Sequence, residues 1–147
     1  MLRVSSKSRY ALRIIVYLAQ HGVNASPARK QDIAEAEEIS ADYVEQILIR
    51  LRGGGLVMSH RGARGGFTLA REPHTIRVLD VLEAAEGQLA FVPEDEQVSG
   101  HPTIAATSRM WGAAQALLEQ QFADITIAAL AAEADSLRHG AQLMYDI

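Results

Sequence analysis

Apolar positions recur at helical spacing through the first fifty or so residues and outline three helices. From Ser5 or Ser6 as cap to about Gln20, Tyr10, Ala11, Ile14, Ile15 and Leu18 fall on one stripe. Lys7, Arg9 and Arg13 form a basic edge beside it. His21-Gly22 ends this helix, and residues 24–27 read as loop. A short helix is predicted over about 30–37, with Ile33 and Ala34 inward. After a tight turn, Val44, Ile47, Leu48 and Leu51 take the i, i+3, i+4, i+7 pattern of a third helix. Ser40 suits its N-cap, and Asp42 puts negative charge in the first turn, where the helix dipole favours it. Gly53, Gly54 and Gly55 stop it. Short helix, turn, helix is the helix-turn-helix pattern. The face of the third helix opposite its stripe carries Asp42, Tyr43, Glu45, Gln46 and Arg50.

The periodicity then changes. Leu56–Arg61 and Phe67–Arg71 are strand-like and partly alternating, joined by the Gly-rich segment from Gly62 to Gly66. A hairpin after a helix-turn-helix makes a winged helix. Thr75 is expected to cap a further helix to about Ala85, with Ile76, Leu79 and Leu82 inward. Residues 87–102 are the least regular. From Thr103 to Phe122 a longer helix, rising about 30 Å, sets Ile104, Met110, Trp111, Ala114, Leu117, Leu118 and Phe122 along one stripe. A shorter helix begins near Thr126 and runs through Leu130, and residues 136–147 are not placed. The predicted fold is mainly α with a small β-wing. A winged helix-turn-helix domain spans 1–85, an acidic connecting loop 86–102 and a helical dimerisation region 103–147. The long helix lies outside the small bundle, so its stripe calls for a partner, most economically a second copy of the chain.

Composition narrows the function classes. The chain has 147 residues, 48% of them hydrophobic, which suffices for a core. It has no cysteine, which removes disulfides, thiolate metal sites and cysteine nucleophiles. No apolar run is long enough to span a membrane and the N-terminus is unlike a signal peptide, so a cytoplasmic location is expected. The net charge of −4 hides an asymmetry. Residues 1–82 hold twelve Lys/Arg against eight Asp/Glu, whereas residues 83–147 hold two against ten. The first part can face phosphate and the second should face away from it.

The candidate chemistry follows that division. On the third helix, Glu45 can accept from a cytosine N4 amine and Gln46 can grip adenine or another base edge. Arg61 and Arg64 at the hairpin tip suit a narrow minor groove or its phosphates. The Gly-rich linker joins two strands, so it is not a nucleotide-binding loop, which would run from strand into helix. Each feature also has a plainer reading. The polar face can be merely solvated, Glu45 an i,i+4 neighbour within its helix, and Tyr43 packed against the wing. Lys7 and Arg9 can be solvated, and Trp111 can belong to the core as well as to a dimer seam. Glu94-Asp95-Glu96 with His101 can hold a hard or borderline cation, although consecutive loop carboxylates usually face water. No Ser, His or carboxylate is spaced as nucleophile, base and orienter, so an enzyme is not expected.

Ser6-Lys-Ser-Arg-Tyr-Ala11, Asp32-Ile-Ala34, Ile39-Ser-Ala-Asp-Tyr-Val-Glu-Gln46, Arg50-Leu-Arg52, Gly55-Leu-Val57 and Arg61-Gly-Ala-Arg-Gly-Gly-Phe67 resemble, in register, the Rrf-2 family of bacterial transcription regulators (the IscR, NsrR and CymR type). The likeness is dense over about residues 1–85 and looser through Trp111 and the helix start at Ile125-Thr126. It implies a homodimeric winged-helix repressor that binds a (pseudo)palindromic operator in double-stranded DNA, its long C-terminal helices crossing between protomers. It also implies base reading by Asp42, Tyr43, Glu45 and Gln46, with Ser40 and Arg50 on the same helix. Arg61, Gly62 and Arg64 then match the minor-groove arm, and Lys7 and Arg9 lie near backbone phosphate. Two departures stand out. Cluster-binding members carry three cysteines before the long helix, where this chain has none, so no iron-sulfur cluster or other cofactor is expected. The turn often has Gly where this chain has Glu38; a positive φ there costs Glu about 1 kcal/mol. The effector would be an unknown small molecule or protein. The alternative is a protein-interaction module of the same fold, coupled to a partner enzyme, with DNA binding secondary.

Overall fold

A computed structural model describes residues 3–22 and 25–146. Asn24, at the start of the expected loop, and Ile147 lie outside the described residues. Helix α1 (Ser6–His21) is capped by Ser5, whose Oγ accepts from the Ser8 N–H at 3.0 Å. It buries Ala11, Ile14, Ile15 and Leu18. Helix α2 (Lys30–Glu37) and helix α3 (Ala41–Gly53) form the helix-turn-helix, and α3 buries Val44, Ile47, Leu48 and Leu51. All three helices lie within a residue of where the hydrophobic stripe puts them.

The hairpin pairs β1 (Val57–His60) with β2 (Gly66–Leu69) in antiparallel register, Val57 opposite Leu69 and His60 opposite Gly66. The free edge of β2 is pinned, one pair from the tip, to the segment before α2: Ala28 and Phe67 exchange both backbone hydrogen bonds, at 3.0 and 2.8 Å. The wing is therefore flanked by a third short stretch of extended chain.

Thr75 is not a helix cap. It ends a single 3-10 turn (Pro73–Thr75), and helix α4 (Val78–Glu86) starts three residues later. The Asp80 carboxylate there takes the Arg77 N–H and guanidinium in a capping box. Desolvation alone would raise the pKa of Asp80, but these Arg77 contacts together hold it below the usual carboxylate value. The irregular stretch contains one short helix, α5 (Glu94–Gln97), and leads into α6 (Pro102–Asp124).

The last helix departs most from expectation. Capped by the Thr126 side chain, α7 runs from Ile127 to Tyr145 and takes in residues 136–145 of the tail left unplaced. Its first turn enters the main core: Ile127 is fully buried, and its N–H donates to Ile76 O at 2.8 Å while Val78 N–H donates to Ile125 O at 2.9 Å. Part of the 103–147 region is thus built into the same core as the winged helix.

The α2–α3 turn is closed by Glu38, which adopts φ 55° and ψ 43°, the left-handed conformation. The N–H groups of both Glu38 and Ile39 turn back onto Ala34 O. Burial of Ile33 and Ile39 on either side contributes about 1.5–3 kcal/mol per aliphatic side chain, more than the roughly 1 kcal/mol a side chain loses at positive φ. Packing therefore decides the turn, and the local strain is carried. Glu38→Gly should stabilise the fold by about 0.5–1 kcal/mol, seen as a raised urea midpoint at unchanged m-value. An unchanged or lowered midpoint would show that the turn is not strained.

Candidate nucleic-acid interface

Burial of Val44, Ile47, Leu48 and Leu51 turns the other face of α3 outward. Asp42, Glu45 and Gln46 are exposed on it, in the first two turns. Ser40 is the N-cap, its Oγ accepting from Tyr43 N–H at 3.3 Å. A hydroxyl used this way still has its own proton to donate. Glu45 is not a lone carboxylate: its Oε2 lies 3.0 Å from the Lys30 Nζ at the start of α2.

Tyr43 does not pack against the wing. Its ring meets Tyr10 of α1 edge to face at 5.7 Å, and its OH lies 3.4 Å from Ser6 Oγ. Tyr10 in turn has the Arg9 and Arg13 guanidinium carbons 5.7 and 5.3 Å from its ring centroid. These contacts bring the basic start of α1 beside the N-terminal end of α3. Lys7 is half-buried and Arg9 exposed. Glu86, at the end of α4, accepts from the hydroxyls of Ser5 and Ser8. The Ser5 hydrogen bond and then the nearby Lys7 charge hold its carboxyl below the usual range.

Arg50 is directed away from the reading face. Its Nη1 donates to Ala85 O at 3.3 Å, so the guanidinium caps the last turn of α4. There its charge meets the negative end of a helix dipole. Arg52 instead donates to Ser59 Oγ at 3.2 Å and ties the end of α3 to the wing.

The wing tip is shaped by glycine. Gly62 has φ 101°, and Gly65 N–H closes the turn onto Gly62 O at 2.9 Å. A Cβ on Gly65 would stand 2.3 Å from His60 O, so no side chain fits. Arg61 precedes this turn and Arg64 lies within it, and both are exposed. Among the described residues the ion pairs are Arg13–Glu37, Arg29–Asp32, Lys30–Glu45 and Arg77–Asp80, which leaves Lys7, Arg9, Arg61 and Arg64 outside any salt bridge.

Two features lie outside the set of site residues expected from the sequence. The Lys30–Glu45 pair joins residues fifteen apart across a turn, beyond the reach of helical spacing. Ile49, by contrast, has a spacing signal. It lies three and four residues after Gln46 and Glu45, is 55% exposed, and puts an apolar surface on the reading face. Such a side chain can meet a thymine methyl group.

The stripe of α6 divides. Phe122 packs against the core and Ile104 and Ala114 are half-buried, while Trp111 stays 40% exposed. Trp111 meets Phe91 edge to face at 6.2 Å. Leu118 joins Phe122 in lining an apolar recess with Leu79, Leu82 and Phe91. Met110 and Leu117 are turned outward, at 51% and 74% exposure. The long helix therefore finds part of its partner within its own chain, which the stripe alone did not reveal.

The loop before α6 offers poor ligands for an iron-sulfur cluster. It has no thiolate, and its donors are Glu94, Asp95 and Glu96 on α5, Ser99 and His101. His101 Nδ1 is taken by Thr103 Oγ1 at 2.9 Å. Among the described residues no three His, Asp or Glu side chains gather as a metal site. Nor is any helix among them long and apolar enough to cross a membrane.

Known proteins share this fold. Residues 4–133 match the family described as "Rrf2: Iron-dependent Transcriptional regulator". A putative HTH-type transcriptional regulator of Mycobacterium tuberculosis is 37% identical over 149 residues, covering 99% of this chain and 90% of its own. The structure of CymR, the global cysteine regulator of Bacillus subtilis, superposes with a TM-score of 0.75 at 32% identity, covering 90% of this chain and 98% of CymR. IscR of T. potens gives 0.73 at 35% identity, covering 90% of this chain and 88% of its own. The relatives are transcriptional regulators, not enzymes, and with the winged helix-turn-helix and the family match over most of its length, this chain belongs to the Rrf2 family of HTH-type transcriptional regulators.

Proposed function

We propose that the protein is a sequence-specific transcriptional repressor that binds a (pseudo)palindromic operator as a homodimer and works without an iron-sulfur cluster. The observation that carries this reading is the outward face of α3. Asp42, Glu45 and Gln46 occupy its first two turns, flanked by cations outside any salt bridge on α1 and on the wing. Lys7, Arg9, Arg61 and Arg64 supply a salt-sensitive attraction to phosphate, indifferent to sequence. Glu45, Gln46 and Ile49 supply the choice of base pair. The acidic second half, facing away from the duplex, keeps like charge from the phosphates.

A dimer is supported by the outward face of α6. Met110, Ala113 and Leu117 stand exposed at i, i+3 and i+7, giving an apolar strip of small and medium side chains. A second α6 crossing there would hide Leu117, and two-fold symmetry would present two copies of α3 to two half-sites.

A gel shift on random DNA at low salt tests the reading as a whole; a chain that ignores DNA there is not a DNA-binding regulator. For Glu45→Ala, discrimination at one base pair of a selected operator should fall by about 1–3 kcal/mol, and equal losses on operator and random DNA would deny Glu45 that role. Arg64→Ala should weaken binding to all sequences and flatten the slope of log affinity against log salt by about one; an unchanged slope removes the wing from the interface. Leu117→Asp should move the protein from dimer to monomer in sedimentation velocity with its helical circular dichroism retained. A variant that sediments as the dimer would place the protomer contact elsewhere.

A further inference from the structure

We propose that Lys30 sets the sequence preference of the protein by positioning the Glu45 carboxylate, rather than serving only as one more cation for the phosphates. This rests on the reading of α3 as the base-reading helix. Lys30 is the first residue of α2, fixed at its Cα where the Ile33 N–H closes onto Arg29 O at 3.1 Å and Ile33 is fully buried. Its Nζ lies 3.0 Å from Glu45 Oε2, with side-chain exposures of 31% for Lys30 and 51% for Glu45. The lysine stem is thus partly buried, while the carboxylate stays open to a ligand. The neighbouring cation does not compete, because Arg29 is engaged with Asp32 at 3.2 Å.

Two consequences follow from that geometry. A glutamate on a helix surface normally samples many rotamers; holding one oxygen limits where the other can accept a hydrogen bond, which base recognition requires. Glu45 also shares its face with Asp42, and two negative charges are repelled by rows of phosphate. An ammonium beside Glu45 cancels its net charge at a distance yet leaves an oxygen to accept from a base amine. In the free protein such a half-exposed pair is weak. As docking expels water, the local dielectric falls and the pair tightens where it is used.

A lysine that only touched phosphate would add affinity evenly over all sequences, and this difference is measurable. Binding to a selected operator, to operators altered at each base pair and to random DNA is compared for the unaltered chain, Lys30→Met, Lys30→Gln, Lys30→Arg, Glu45→Ala and Lys30→Met/Glu45→Ala at one salt concentration. The expected result is that Lys30→Met and Lys30→Gln flatten the preference at the base pair that Glu45→Ala affects, by about fivefold or more. The double variant should be no flatter there than Glu45→Ala alone, and Lys30→Arg should recover part of the preference. An equal loss on every DNA, or flattening at a different base pair, overturns the proposal while leaving DNA recognition by α3 intact. Failure of the unaltered chain to bind any DNA overturns both.

Discussion

The aliphatic seam joining α1, α3 and α4 governs what this protein can present to a ligand. Ile14 and Ile15 of α1, Ile47, Leu48 and Leu51 of α3, and Val81 of α4 are all buried to within about a percent of complete. Because side chains on a helix repeat every 3.6 residues, locking positions 44, 47, 48 and 51 inward leaves 42, 45, 46 and 49 no orientation but outward. A slip of one residue would put Glu45 in the core in place of Val44, or Gln46 in place of Ile47. The polar reading face thus follows from the cost of burying anything else, and its rigidity is that of the core behind it.

Around that seam, polar contacts choose the details. The Tyr10–Tyr43 contact and the approach of Ser6 to the Tyr43 hydroxyl set the basic start of α1 beside the first turn of α3. Arg52 and Ser59 do the same for α3 and the wing, whose other support is the backbone pairing of Ala28 with Phe67. Neither of the exposed side-chain hydrogen bonds, Ser6 with Tyr43 or Arg52 with Ser59, is strong by itself. Their effect is directional, because each links elements whose positions the core has already restricted. Glu38 shows the opposite case, a residue in an unfavourable conformation that persists because the flanking Ile33 and Ile39 are buried.

The C-terminal half follows a different logic. α6 turns Phe122 toward its own core and Met110 and Leu117 toward solvent. A single helix can therefore join the fold and still offer a surface to a second copy, as the proposed dimer requires. α7 begins inside the core at Ile127 and ends with Leu143, Met144 and Tyr145 exposed. The family description names iron, and the connecting loop of this chain has no thiolate to offer it.

Local sequence was sufficient for the three N-terminal helices, the hairpin and the outward set Asp42, Glu45 and Gln46, because each depends on periodicity, capping or glycine placement within about one helix length. It was also enough to rule out thiolate ligation and to locate the residue that strains the turn. Several features depended on distant parts of the chain meeting. The pairing of Lys30 with Glu45, the turning of Arg50 to the end of α4 and the seating of Tyr43 on α1 are of this kind. So are the two faces of α6 and the anchoring of α7 through Ile127 and Ile76. A one-dimensional pattern states which side chains avoid water, but not which neighbour covers them or which charge they meet. Those partners were decided only when the helices packed.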